Sequence, residues 1–123
     1  QQRYEAIQAL YDKHDEVKIG GITSHWLANA CMASVQLLEN AVSAQTPILV
    51  FQAEKDIAVT AAGQNSFCKN LASAGKITCE GGQPDVIRGA YHELFIESDE
   101  FRIPVLNKTL QFFEKYSKST SED

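Results

Sequence analysis

Apolar residues along the chain recur at two different spacings, and the change from one to the other marks out the elements. Between Arg3 and His14, Tyr4, Ile7 and Ala9 to Tyr11 form a stripe at helical spacing among charged residues, and Asp12 to Glu16 marks the end of that helix. The Gly20-Gly21 pair then breaks the chain. Thr23 or Ser24 caps a second helix running to about Val42, with Leu27, Cys31, Ser34 and Leu38 on a face expected to lie against a sheet. Ile48 to Phe51 differs in kind: an unbroken apolar run after Pro47 is how a strand buried on both faces of a parallel sheet reads, and polar residues begin at Gln52. Helical spacing returns from about Thr60 to Ala74, where Phe67, Cys68 and Leu71 share one side and Gly75 offers a left-handed stop. Val86 and Ile87 make a short second strand after Gly81-Gly82 and Pro84, closed by Gly89. The last predicted helix, Asp99 to Tyr116, sets Ile103, Leu106, Leu110 and Phe113 on one face and tolerates Pro104 near its first turn; Ser117 to Asp123 reads as a frayed polar tail.

This order predicts an α/β fold: two parallel strands joined through a right-handed helical crossover, with flanking helices. The sheet is incomplete. A strand as apolar as Ile48 to Phe51 needs a neighbour on its free edge and cover on both faces, and the rest of the chain supplies too little of either. The completing element is expected to be a missing part of the same protein, a second copy, or a nicked segment. A chain that opens on Gln1 and Gln2 inside a helix is accordingly expected to be a cut or processed product.

Composition narrows the function. With 123 residues, 44% of them apolar, the chain has the size of one domain. Sixteen acidic against eleven basic residues give a net charge of -5, and no basic run is interleaved with aromatics, which argues against a nucleic-acid partner. No apolar stretch approaches the roughly 20 residues of a membrane span, and the opening residues do not read as a signal peptide. The three cysteines, Cys31, Cys68 and Cys79, match neither a disulfide framework nor a zinc pattern. They are expected to be free thiols in a reducing compartment, with Cys31 and Cys68 buried on helical apolar faces.

The candidate chemistry lies at the strand ends, where loops of an open parallel sheet converge. Asp56 follows the first strand and His92 the second, so adjacent parallel strands would bring carboxylate and imidazole within hydrogen-bonding reach. Such a pair has a defined use: the carboxylate accepts from Nδ1 and fixes the tautomer, leaving Nε2 to take a proton from a hydroxyl nucleophile. Taken singly, Asp56 reads as a turn former and His92 as a solvated loop residue; their joint placement raises both. Glu54 and Glu93 flank them as surface or supporting residues, and no histidine spacing supports a metal site.

Pro47 to Asp56, followed by Val86-Ile87-Arg88-Gly89-Ala90-Tyr91-His92-Glu93, resembles the last part of a serine α/β-hydrolase of the monoacylglycerol lipase and lysophospholipase group. Gly20 to Trp26 is similar to the stretch between the cap and the helix before the aspartate strand in that group. The resemblance implies the C-terminal portion of an α/β-hydrolase fold, with 1-22 ending the cap region, 23-116 belonging to the core and 117-123 a tail. It implies Asp56 as triad acid, His92 as triad base, and His25 and Trp26 as residues that could touch substrate. No cofactor is implied. The substrate would be a lysophospholipid or monoacylglycerol, the location cytoplasmic, and peripheral contact of the intact parent with the inner membrane is compatible with such a substrate. In this superfamily the serine precedes the acid, yet no Gly-x-Ser-x-Gly occurs in the chain, and Ser24 is better read as a helix cap. The chain alone is therefore expected to be inactive. Two other readings compete: a non-catalytic binding or assembly module using the open sheet edge, and, more weakly, a receiver-like domain with Asp56 as phosphoacceptor.

Overall fold

The computed structural model describes residues 2–73 and 78–117. In chain order these are α1 (Gln2–Lys13), α2 (Ser24–Asn40), β1 (Phe51–Ala53), α3 (Ala61–Ser73), β2 (Asp85–Ile87) and α4 (Asp99–Ser117), with 3-10 turns at Asp15–Val17, Ala41–Ser43 and Glu80–Gly82. The cap of α2 is Thr23, not Ser24: the Thr23 hydroxyl accepts the Trp26 N–H at 3.1 Å, and Ser24 is already helical. Gly75 and the tail beyond Ser117 lie outside the described residues.

Strands β1 and β2 pair in parallel, with Phe51 opposite Asp85, Gln52 opposite Val86 and Ala53 opposite Ile87. The regular strand thus begins where the apolar run ends, a shift with a visible cause in its neighbour. Ile48 forms an isolated parallel bridge with Cys79, and its carbonyl accepts the Glu80 N–H at 2.8 Å. The neighbouring chain then leaves the ladder through Gly81 and Gly82, both at positive φ, and returns where the Asp85 N–H reaches the Val50 carbonyl. Ile48 to Phe51 are only half-buried, whereas polar Gln52 is buried and donates toward the Ala61 carbonyl and Asn65 Oδ1. Among the described residues β1 has a paired strand on one edge only, and the apolar run that leads into it is left partly exposed.

The core cluster joins Ala41, Leu71, Cys68 and Cys79, with Ala44, Ile48, Val50 and Phe67 packed around it. Its centre is a Cys68–Cys79 disulfide, which corrects the expectation of free thiols. Spacing concealed the pair because α3 returns along the strand it follows, bringing Cys68 beside the residue that bridges Ile48. Cys31, expected to be buried, is exposed and free.

Two helical faces also differ from expectation. No residue of α2 is buried; it packs on α3, whose Asn70 side chain donates to the Leu38 carbonyl at 2.9 Å, and Leu27, Met32, Val35 and Leu37 are exposed. In α4 the inward row is Phe101, Val105, Thr109, Phe112 and Tyr116, with Val105 fully buried, while Ile103, Leu110 and Phe113 face outward. The lower end of α4 is tied down by Glu80, which accepts from Lys115 Nζ and from the Tyr116 hydroxyl at 2.8 Å. These contacts fix the rotation of the helix and leave its second apolar row without cover. The helix begins at Asp99 as expected, and Pro104 follows its first turn.

Candidate active site

The rim of the two strands is assembled by backbone before any side chain acts. Beyond Ala53 the Glu54 N–H reaches the Ile87 carbonyl at 3.1 Å and the Lys55 N–H reaches that of Ala90 at 2.9 Å, so the two exit loops leave side by side. Gly89 makes the departure possible at φ +81, with the Phe101 ring 3.5 Å from where a Cβ would stand. Ala90 behind it is fully buried.

Asp56 and His92 meet on this rim. One carboxylate oxygen, Oδ1, accepts the Ala58 and Val59 N–H groups at 2.8 and 2.9 Å, closing a turn on its own loop. The other, Oδ2, faces His92 Nδ1 at 2.8 Å. The Asp56 side chain is 9% exposed and that of His92 43%, so the carboxylate is enclosed while the ring keeps an open side. His92 Nε2 makes no hydrogen bond with a described residue.

Burial pushes the Asp56 carboxyl upward, but the hydrogen bond from His92, the two backbone amides and the imidazolium charge together hold it below the ordinary carboxylate range. His92 is raised: the hydrogen bond to Asp56 favours the imidazolium, burial opposes it, and the charges of Asp56 and Glu93 reinforce the rise. The pair therefore stabilises the fold fully between the unfolded carboxylate value of about 3.9 and the unfolded imidazole value of about 6.5. That contribution is lost as pH climbs through the raised folded pKa of His92, or drops through the lowered one of Asp56.

The other sequence candidates lie elsewhere. His25 Nε2 pairs with Asn29 Nδ2 at 3.0 Å along α2, and the Trp26 ring is exposed; neither hydrogen-bonds Asp56 or His92. Glu54 is part of the rim, since its carboxylate accepts the Gly89 N–H at 2.8 Å. Glu97 escaped the sequence reading. Its Oε1 accepts the Tyr91 N–H, immediately before His92, at 2.7 Å. The only sequence signal was an acidic residue ahead of a helix, which ordinarily reads as a response to the helix dipole. Also unanticipated is an apolar cavity of about 570 Å³ between α2, Val50, the loop ahead of α3 and the first half of α3, whose wall includes Ala58, Val59 and Phe67. Among the described residues no three metal-ligating side chains converge, and no helix is long and apolar enough to cross a membrane.

Comparison with known proteins fits this geometry. Residues 1–99 match the family described as Serine aminopeptidase, S33. Lysophospholipase L2 of Escherichia coli strain K12 and Lysophospholipase L2 of Escherichia coli O6:H1 are each 35% identical to the chain over 116 residues. Those alignments cover 94% of this chain but 34% of each relative, so the chain spans about a third of the length of the curated relatives it matches. No solved structure matches it. A match that takes in both strands, their crossover and the two exit loops leaves one assignment: the chain belongs to the serine aminopeptidase S33 family and carries part of an α/β-hydrolase fold.

Proposed function

We propose that this chain is the C-terminal part of a serine ester hydrolase acting on lysophospholipids or related monoacyl esters, that Asp56 and His92 are its acid and base, and that the nucleophile lies outside these residues. The observation that carries the proposal is the 2.8 Å contact between His92 Nδ1 and Asp56 Oδ2, with Nε2 unengaged by any described residue. Nε2 would take the proton of a serine hydroxyl as its oxygen attacks the ester carbonyl. It would return that proton to the departing glycerol oxygen as the tetrahedral intermediate collapses to an acyl-enzyme. Water, deprotonated by the same nitrogen, would then attack the acyl carbonyl, and the proton would pass from Nε2 to the departing serine oxygen as the fatty acid is released. Asp56 stays ionised throughout and stabilises the imidazolium. His25 and Trp26, both at the start of α2, are assigned to substrate contact in this reading, supported by the exposed indole.

The uncovered faces of α2 and α4 favour a remainder of the same fold as the completing element. They would equally serve a non-catalytic assembly module, and a nucleophile elbow encoded upstream of Gln1 separates the two readings. The pH dependence of the whole protein tests the catalytic one. Only neutral His92 can act as base, and Asp56 raises its pKa, so kcat/KM for a lysophospholipid should fall with acidity along a limb lying above about 6.5. Asp56→Asn should shift that limb to lower pH and reduce the plateau by about 10³-fold or more. A limb that stays in place in the variant contradicts the assignment.

A further inference from the structure

The loop between β2 and α4 carries His92, and carboxylates fasten it at both ends. At its start Glu54, two residues before Asp56, holds the Gly89 N–H. At its far end the chain turns back on itself: the Ile96 and Glu97 N–H groups both reach the Glu93 carbonyl, at 2.8 and 3.1 Å, and the Glu97 carboxylate crosses the turn to the Tyr91 N–H. The Glu97 backbone carbonyl is itself held by Arg3 Nη1 at 2.6 Å. Glu97 is not simply a cap for α4. Its contact with the adjacent Ser98 N–H is long, 3.4 Å, against 2.7 Å to Tyr91. Because the Tyr91 amide adjoins His92, fixing it limits the directions in which the imidazole can leave the backbone.

We propose that Glu97 is a positioning residue for His92: by holding the Tyr91 amide across the turn, it keeps the imidazole in register with Asp56. This rests on the reading of His92 as the base. The geometric part can be tested in the whole protein without measuring any activity. Following the His92 ring by NMR against pH, the wild-type midpoint should lie above the ordinary imidazole value of about 6.5. Glu97→Ala should return it toward that value, and Glu97→Gln, which keeps an acceptor oxygen but no charge, should preserve it. In an Asp56→Asn background Glu97→Ala should cause no further shift, since the partner it aligns is gone. An unmoved midpoint in Glu97→Ala, a loss in Glu97→Gln equal to that in Glu97→Ala, or an equal shift in both backgrounds overturns the proposal. Should the alanine variant fail to fold, the wild-type Tyr91 amide decides. Its proton shift should track the ionisation of a carboxylate, and a Tyr91 amide that shows no such titration also overturns the proposal. Full ester hydrolysis by a His92→Ala whole protein would instead remove the base assignment while leaving these shifts interpretable.

Discussion

If the proposed function holds, the whole protein with His92→Ala is expected to lose at least about 10³-fold in kcat for lysophospholipid hydrolysis, with little change in KM. The reasoning lies in what the ring touches. Asp56 is the partner of Nδ1, and Nε2 has no other engagement among the described residues, so replacing the ring removes proton transfer without removing a structural contact deep in the core. A loss of this size corresponds to about 4 kcal/mol of transition-state stabilisation. Steady-state rates of variant and parent, compared at the parent's pH optimum, measure it. Turnover within tenfold of the parent would take His92 out of the mechanism.

The second large effect concerns the core. Replacing Cys68 and Cys79 together by alanine should lower the free energy of unfolding by about 3 kcal/mol, the loop-closure entropy expected for a short loop with a sequence separation of 11. Both sulfurs lie at the centre of a small buried cluster, so little other apolar burial is available to offset the loss. Urea denaturation of the variant, and of the parent after reduction in the unfolded state, should give matching reduced midpoints. Equal midpoints for variant and oxidised parent, or alkylation of Cys68 and Cys79 without prior reduction, would contradict the pairing.

Those two sites divide what the sequence makes legible from what it does not. Asp56 and His92 could be placed because each follows an apolar run by a few residues, and two parallel strands deliver their exit loops to one rim whatever the rest of the fold does. The disulfide could not be placed by spacing, since it depends on α3 folding back toward the extension of β1. The start of β1 is illegible in the sequence for a related reason: a strand is as long as its partner permits, and the partner bends away at Gly81 and Gly82. The sequence of α4 offers two apolar rows at helical spacing. Choosing between them required knowing that Glu80 holds Lys115 and Tyr116. Glu97 acts through a backbone amide across a tight turn, which no pattern of residue types discloses.

At the centre of the account is a hydrogen bond from His92 Nδ1 to Asp56, and long-range nitrogen–proton NMR of the His92 ring above its pKa reads it directly. Isolated neutral imidazoles carry their proton mainly on the other nitrogen, so the expected spectrum is that of a ring protonated at Nδ1 and bare at Nε2, reverting in Asp56→Asn. A neutral His92 protonated at Nε2 in the unaltered chain would contradict the account.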